Sequence, residues 1–404
     1  MNLSEEIYIL YRRFKAAIGW SIYALCALRP IQKNKIVFSC FEGGGYGCNP
    51  KYIAEEIIRR MRTENKEYEL FWLVNDFTKE FPLEIHKVKN NLWNRAFHLS
   101  TAGVWVDNAR KNYGTRKRKG QLYIQTWHGQ NSLKPVGKLR GESFSKIARI
   151  VTQADAKQID YFLVDSQWSK NMFSQSFYGE NFAVTGSPRC DILLNQRDEQ
   201  YKSIRRKLKL PEMAKLLMYA PTFRGGSQSG IRDVFENYIT LSFERLLPVL
   251  KQKFGGEWYV LLRLHPQLAL KMAHMSVKEM DKKHFIDISY QDDMYEYLAA
   301  ADAFVSDYTS AEPEAALIGI PVFIYADDLD KYMADRGSFL FDIYKELPYS
   351  VAKTNEELLA NIEQFDLEDY HRRTKEFFDG LGVLEDGQAS ARVVDIIEEK
   401  MMQR

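Results

Sequence analysis

The chain has 404 residues, a length that exceeds one typical core and fits two α/β domains. Its formal net charge is only +2, so bulk charge gives no support for nucleic-acid binding. None of the four cysteines stands in a CxxC pair, so the sequence indicates neither a zinc ribbon nor a thioredoxin-type site, and scattered cysteines fit a reducing cytoplasm. No secretory signal is recognised, and no apolar run reaches the roughly 18 residues of a transmembrane helix.

The chain begins with a helical pattern over residues 3–30, which Pro30 is expected to end. Its apolar residues occupy more than one face, and Arg12, Arg13 and Lys15 lie in its middle. Two interpretations stay open. The helix either packs on the protein as part of a core, or it lies in a membrane interface with its basic side toward anionic headgroups.

Strands and helices then alternate through the first half, which predicts a parallel sheet covered by helices on both faces. The predicted strands are 35–40, 67–76, 85–88, 102–109, 122–126, 161–164 and 182–191. A glycine-rich turn follows the first strand, with Asn49 as the predicted helix N-cap and Pro50 at the first helical position. This turn is either a weak anion cradle or a tight strand–helix connection.

The run RKNYGTRKRK at 110–119 is strongly basic and directly precedes the strand at 122–126. A charge run of this kind is usually a solvated loop. Its position also allows it to line the entrance for a polyanionic substrate, and both interpretations stay open.

The alternation restarts in the second half, after a charged and mostly helical connection at 192–214. The predicted strands there are 216–226, 257–266, 285–289, 302–310 and 321–326, and residues 355–402 are mostly helical. Two such halves predict two doubly wound, Rossmann-like domains. Ligands of these folds bind at the carboxyl ends of the strands, so the side chains at those ends are the functional candidates.

The predicted strand ends carry cations, hydroxyls and imidazoles, a combination that suits phosphate oxygens. In the first half they are His128 and Arg189. In the second half they are Thr222, Arg224, Arg263, His265, Ser306, Asp307, Tyr308, Thr309 and Ser310. The last two hydroxyls precede a helix start, where unpaired backbone N–H groups favour an anion.

Each candidate also has a purely structural interpretation. His128 can be an ordinary loop histidine, Thr309 and Ser310 can be helix caps, and Arg263 and His265 can make turn hydrogen bonds. The two histidines, one in each half, also form a candidate pair. One would act as the base for an incoming hydroxyl and the other as a cation for a phosphate.

Distinctive motifs follow one another along the chain. They are TWHG at 126–129 with LKPVG at 133–137, GSPRCD at 186–191, YAPTFR at 219–224, LRLHP at 262–266, SDYTS at 306–310, and GIPVFIYADDLDKY at 319–332 with RGSFLFD at 336–342. Together they resemble the CDP-glycerol glycerophosphotransferase family, the teichoic-acid primases and polymerases and their capsule-building relatives. Two segments depart from the family pattern: QNSLKPVG after TWHG, and AEPEAALIG after SDYTS, where the family more often has an aromatic residue and an Asp.

The resemblance implies a GT-B-like α/β architecture, in which two Rossmann-like doubly wound domains face a central cleft. The implied divisions are an amphipathic, membrane-associating helix at 1–33, an acceptor-side domain at 34–200, a CDP-donor-binding domain at 201–375 and a C-terminal helix at 376–404. Peripheral association with the cytoplasmic face of the cell membrane is also implied. No cofactor, metal site or nucleic-acid partner is expected.

By the same resemblance, a polyol phosphate moves from CDP-glycerol or CDP-ribitol to a hydroxyl of a lipid-linked, undecaprenyl-type acceptor, with release of CMP. His128 is then the general base, and His265 and Arg263 hold the diphosphate. The expected donor contacts also include Thr309, Ser310, Ser306, Asp307, Thr222 and Arg224, and the expected acceptor side consists of Gly129, Lys134 and Arg189. A sugar transferase of the same architecture and a non-catalytic polyanion-binding module are the alternatives.

Overall fold

The computed structural model describes residues 3–130, 133–222, 239–264, 283–336 and 338–403. They form two compact units. Unit 1 comprises Met1–Gln130, Val136–Asp191 and Gly382–Arg404, and unit 2 comprises Asn131–Pro135 and Ile192–Leu381. Each unit is built on one parallel sheet, so the predicted α/β class with two such sheets is confirmed.

The helices of the described residues connect the strands as the alternating pattern predicted. They are α1 Leu3–Cys26, α2 Cys48–Glu64, α3 Leu92–Thr101, α4 Lys146–Ala156, α5 Gln167–Ser176, α6 Asp191–Asn195, α7 Arg197–Lys207, α8 Phe243–Phe254, α9 Tyr295–Ala299, α10 Glu312–Leu317, α11 Leu329–Arg336, α12 Asn355–Glu363, α13 Leu367–Leu381 and α14 Ala389–Met402. None of them is long and apolar enough to cross a membrane.

The sheet of unit 1 has seven strands in the order β3-β2-β1-β4-β5-β6-β7. They are β1 Gln32–Ser39, β2 Glu69–Val74, β3 Ile85–Lys89, β4 Ala102–Asp107, β5 Leu122–Gln125, β6 Tyr161–Val164 and β7 Phe182–Val184. Every pairing is parallel. The strand order reverses between β1 and β4, so the switch point of this sheet lies where those two strands end.

The sheet of unit 2 repeats this winding with six strands in the order β10-β9-β8-β11-β12-β13. They are β8 Lys215–Tyr219, β9 Trp258–Leu262, β10 Phe285–Asp287, β11 Ala303–Ser306, β12 Val322–Tyr325 and β13 Ser350–Ala352. The short edge strand β13 was not predicted, because Val351 is its only large apolar residue. The switch point of this sheet lies between the ends of β8 and β11.

Helix α1 ends at Cys26, four residues before the predicted stop at Pro30. The side chains that it buries are Ile9, Ala16, Tyr23 and Cys26. Large apolar side chains also remain exposed on it, among them Ile7, Phe14, Ile18 and Leu25. At 3.6 residues per turn, the buried set and the exposed set fall on opposite sides of the helix. The helix therefore packs on unit 1 and also presents an apolar stripe to solvent.

The C-terminal helix α14 is held against α2 by a buried ion-pair network. Glu398 and Arg60 are each 7% exposed, and the Arg60 Nη1 atom donates to Glu398 Oε2 over 2.9 Å. The same carboxylate accepts from Lys66 Nζ at 2.7 Å and from the Tyr68 hydroxyl at 2.9 Å. Because every charge in the network is compensated, the end of the chain packs in unit 1 without an isolated buried ion.

A buried lysine lies in the middle of β1. Lys35 is 2% exposed, its Nζ donates to Thr101 Oγ1 over 2.8 Å, and it lies 4.6 Å from the centre of the Phe71 ring. Burial lowers the pKa of Lys35 to about 8, with a partial offset from the charge of Glu69. An exposed lysine has a pKa of about 10.4, so between these values the unfolded chain binds more protons than the folded chain.

The stability of the protein should therefore rise with pH across this window because of Lys35, by at most about 1.4 kcal/mol per pH unit. In Lys35→Met this contribution is absent, so the advantage of the variant over the wild type should shrink as the pH rises from 8 to 10. Urea midpoints at both pH values measure it. Lys33→Met, which removes an exposed lysine two residues away, serves as the control. Parallel pH curves for wild type and Lys35→Met would contradict the prediction.

Candidate active site

His128 lies in a turn whose backbone is strained. Trp127, the residue before it, has φ 54°, in the left-handed region that a bulky residue rarely adopts. Gln125 Oε1 accepts the Trp127 N–H at 2.9 Å. Asn49 Nδ2 donates to the carbonyls of Thr126 and Trp127 at 3.3 and 3.2 Å. Two buried amides thus hold the turn that directs the imidazole.

The His128 ring is held in one tautomer by a main-chain carbonyl. Its Nδ1 lies 2.6 Å from the Asn108 oxygen, which only accepts, so Nδ1 carries the hydrogen and Nε2 keeps its lone pair. The ring stacks on Trp127 with 4.5 Å between centroids and meets the edge of Phe41 at 5.3 Å. The imidazole is therefore oriented with its basic nitrogen available.

The pKa of His128 is lowered to about 4, chiefly by burial. The hydrogen bond to Asn108 opposes this shift, and the positive charges of Arg189 and Arg110 add to it. At neutral pH the ring is consequently neutral. A neutral ring with a free Nε2 can accept a proton, whereas a cationic one cannot.

Arg189 and Gly129, two of the three expected acceptor-side residues, lie in the same unit as His128. Arg189 is 3% exposed, its backbone N–H donates to Asn49 Oδ1 at 3.0 Å, and its Nη1 donates to Cys48 Sγ at 3.3 Å. Asn49 is therefore not the N-cap of α2. The helix begins at Cys48 after Gly47, which makes no side-chain cap. The predicted cap is wrong because the Asn49 side chain instead forms hydrogen bonds with the backbone of Thr126, Trp127 and Arg189.

Most of the cationic side chains in the basic run at 110–119 make contacts inside unit 1. Lys111 pairs with Asp107 at 2.7 Å, and Lys117 pairs with Asp160. Arg118 donates to the carbonyls of Arg29 and Ser100 at 2.7 and 2.9 Å. Most of the run therefore stabilises the connection between β4 and β5. This weakens the interpretation that the whole run lines a substrate entrance.

In unit 2 the candidates Thr222, Ser306 and Asp307 come together at the switch point. The two Asp307 oxygens accept the Thr222 N–H at 2.9 and 3.0 Å, and Oδ1 also accepts the Tyr308 N–H at 2.5 Å. The Ser306 hydroxyl donates to the Ala220 carbonyl at 2.6 Å. These contacts hold the ends of β8 and β11 together and shape the loops beyond them.

Thr309 and Ser310 do not cap the helix that follows. The N-cap of α10 is Ala311, without a side-chain cap, so the capping interpretation is wrong. The Thr309 N–H donates to Glu312 Oε1 at 3.2 Å, and both hydroxyl-bearing residues are half-buried. Their hydroxyls are thus not used as helix caps.

Glu312 was not among the residues predicted to act with the SDYTS motif at 306–310. It is 1% exposed, and its pKa is raised well above the ordinary value by burial, with a further contribution from Asp307. Burial therefore disfavours the charged form of this carboxyl. Lys134 lies in the short segment that belongs to unit 2, where its positive charge acts on Glu312. Lys134 was expected on the acceptor side with Gly129 and Arg189, and the sequence alone did not connect it with this motif.

Arg263 turns toward the loop after β10. Its Nη1 donates to the carbonyls of Ile288, Ser289 and Gln291 at 2.7, 3.2 and 2.5 Å, and burial lowers its pKa. His265 and Arg224 lie outside the described residues, so their roles stay predictions. Across the described ranges no group of three His, Cys, Asp or Glu could hold a metal ion.

Comparison with known proteins connects this chain to polyol-phosphate transferases. Residues 21–399 match the family CDP-Glycerol:Poly(glycerophosphate) glycerophosphotransferase. The teichoic acid poly(glycerol phosphate) polymerase of Bacillus subtilis (strain 168) is 28% identical over 395 residues, which are 93% of this chain and 50% of the relative. The teichoic acid glycerol-phosphate transferase of Staphylococcus aureus (strain NCTC 8325 / PS 47) is 28% identical over 407 residues, which cover 95% of this chain and 98% of the relative.

The chain thus spans about half the length of the Bacillus subtilis polymerase and nearly all of the Staphylococcus aureus transferase. Among solved structures, a variant of the wall teichoic acid polymerase TagF soaked with CDPG has a TM-score of 0.79 and 26% identity, and the alignment covers 100% of this chain and 99% of that one. The family match leaves out only residues 1–20 and 400–404. The chain belongs to the CDP-glycerol:poly(glycerophosphate) glycerophosphotransferase family, as its motifs predicted.

Proposed function

We propose that this protein transfers glycerol phosphate from CDP-glycerol to a hydroxyl of a lipid-linked teichoic-acid or capsule precursor and releases CMP. The acceptor oxygen attacks phosphorus, the bond from phosphorus to the bridging oxygen breaks, and CMP leaves with that oxygen. The site must therefore remove a proton from an alcohol and stabilise charge on a diphosphate. The family membership supports this class of reaction.

The orientation of His128 is the observation that carries the proposal. Its Nδ1–H is committed to the Asn108 carbonyl, its Nε2 is a free acceptor, and its pKa of about 4 keeps the ring neutral. In this role, Nε2 accepts the proton of the acceptor hydroxyl as the oxygen attacks. Arg189 and Gly129 would then lie on the acceptor side.

The donor would bind at the switch point of unit 2. Thr309 and Ser310 have hydroxyls that are not used as helix caps, and Asp307 holds the Thr222 backbone beside them. In this role the hydroxyls and Lys134 contact phosphate oxygens, together with Arg263, Arg224 and His265. The Ser306 hydroxyl, which the family resemblance also implied as a donor contact, is buried and donates to the Ala220 carbonyl instead. Phosphate oxygens accept hydrogen bonds from hydroxyls and cations.

The stripe of α1 defined by Ile7, Phe14, Ile18 and Leu25 supports peripheral attachment to the cytoplasmic face of the membrane. Phe14 and Ile18 are 66% and 44% exposed, which is unusual for large apolar side chains in a soluble environment. Arg13 and Lys15 flank the stripe and would meet anionic headgroups. A lipid-linked acceptor would be reached from this surface.

A CDP-ribitol donor is the second candidate. The teichoic acid ribitol-phosphate primase of Bacillus spizizenii (strain ATCC 23059 / NRRL B-14472 / W23) is 25% identical over 416 residues, which are 96% of this chain and 97% of the relative. CMP release from CDP-glycerol, CDP-ribitol and a UDP-sugar, measured side by side with one lipid-linked acceptor, separates the two donors. Turnover of the UDP-sugar alone would favour a sugar transferase.

His128→Ala should lower the rate of CMP release by about 100-fold or more, because the proton acceptor is lost. Circular dichroism should show an unchanged fold, since the imidazole is half-buried. His86→Ala, which removes an exposed imidazole from β3, is the matched control and should keep the wild-type rate. A near wild-type rate for His128→Ala would exclude the role of general base.

The acidic limb of kcat/KM should lie well below pH 6. Because the pKa of His128 is about 4, lowering the pH from 8 to 6 leaves the base form in place, and the rate should change little. A histidine with an ordinary pKa would lose about three quarters of its base form at pH 6. A profile of kcat/KM with a midpoint near 6.5 would contradict the proposed state of the ring.

The double variant Phe14→Ser/Ile18→Ser should reduce co-sedimentation with vesicles by at least about 10-fold, because two exposed apolar side chains no longer enter the interface. The rate with a soluble acceptor analogue should be retained. Leu83→Ser, which removes an apolar side chain that is 98% exposed elsewhere in unit 1, is the control. Unchanged sedimentation of the double variant would leave α1 as a packed helix only.

A further inference from the structure

A cavity of about 650 Å³ lies in unit 1 beside α1 and is not used by the proposed chemistry. Its walls are Trp20 of α1, the connection at 111–117, Ile150 and Ala154 of α4, and Lys157 directly after that helix. The wall against α1 is tightly built. A Cβ at Gly114, which has φ 105°, would lie 2.8 Å from the Cα of Ala16. The connection therefore packs on the helix backbone to backbone.

The lining of the cavity is cationic. Lys111, Arg116, Lys117 and Lys157 all contribute to it. Lys111 and Lys117 are anchored by Asp107 and Asp160. Arg116 and Lys157 are exposed and form no ion pair with any residue in the described ranges. These two cations therefore face solvent across the cavity without a protein counter-charge.

One acid lines the same cavity and weakens the positive field only in part. Asp155 is 3% exposed, and its Oδ1 accepts the Lys111 N–H at 3.2 Å and the Tyr123 hydroxyl at 3.3 Å. Burial raises its pKa to about 7, so much of it is neutral at physiological pH. The cavity thus keeps an excess of positive charge that an anionic ligand would compensate.

We propose that this cavity binds the phosphate of an anionic phospholipid headgroup. The inference rests on the proposed membrane association of α1 and deepens it by naming the lipid chemistry. Trp20, which is 48% exposed, joins the cationic wall to the helix that carries the exposed apolar stripe. A ring of this kind suits the boundary between headgroups and acyl chains. Binding of a soluble phosphate would not require an apolar ring such as Trp20 at the edge of the cavity.

Titration of the full chain with short-chain lipid, without donor or acceptor, tests the proposal. Dihexanoyl phosphatidylglycerol below its micelle concentration should bind in calorimetry, and dihexanoyl phosphatidylcholine and inorganic phosphate should not. Arg116→Ala/Lys157→Ala should weaken binding roughly 30-fold, because each cation near an anionic lipid contributes about a factor of five. Ala154→Trp should also weaken it by filling the cavity without changing the charge.

Lys202→Ala/Lys251→Ala is the matched control, because it removes the same charge from exposed helix positions outside the cavity. It should leave lipid binding unchanged. Unaltered phosphatidylglycerol binding by the cavity variants would overturn the proposal, and equal binding of inorganic phosphate or preference for the polyanion heparin would do so as well. Soluble lipid needs no membrane, so Phe14→Ser/Ile18→Ser should still bind it. Failure of the membrane proposal is thereby distinguishable from failure of this one.

Discussion

In each unit, the residue directly after the fourth strand in chain order accepts, through its side chain, a backbone N–H from the loop that follows the first strand. In unit 1, Asn108 follows β4, and its Oδ1 accepts the Phe41 N–H at 2.7 Å. In unit 2, Asp307 follows β11 and accepts the Thr222 N–H at 2.9 Å. Parallel neighbours end at the same edge of a sheet, so one short polar side chain can close the switch point at each place. The candidate chemistry of each unit is arranged around that contact.

The two contacts differ in charge, and the difference fits what each unit is proposed to do. In unit 1 the side chain that closes the switch point is the neutral amide of Asn108. The main-chain carbonyl of the same residue accepts from His128 Nδ1 at 2.6 Å and selects the tautomer. A carboxylate at that place would favour a cationic imidazole and raise its pKa. In unit 2 the carboxylate of Asp307 accepts the backbone N–H groups of Thr222 and Tyr308. The hydroxyls of Thr309 and Ser310, the proposed donor contacts, are not used as helix caps.

The periodic patterns were enough to predict the two parallel sheets, because buried strands are short apolar runs separated by turn residues. They were not enough to predict the amide contacts of Asn49 and Gln125. An Asn before a Pro has the same local pattern whether it caps a helix or reaches across to another strand end, and only the tertiary structure distinguishes the two. The sequence also could not decide between a packed helix and a membrane-interface helix for α1. One helix can pack on one side and expose an apolar stripe on the other.

The departure from the family pattern after SDYTS changes hydrogen bonding more than charge. Two carboxylates beside the proposed donor site would repel a diphosphate if they were exposed. Glu312 and Glu314 are both buried, and the Tyr295 hydroxyl donates to Glu314 Oε2. Burial raises the pKa of Glu312 well above its ordinary value, and its Oε1 accepts the Thr309 N–H at 3.2 Å. The shift disfavours the charged form of this carboxyl, while its oxygen holds the Thr309 backbone. The altered motif therefore keeps a hydrogen bond that fixes the loop between β11 and α10, and burial disfavours an added negative charge there.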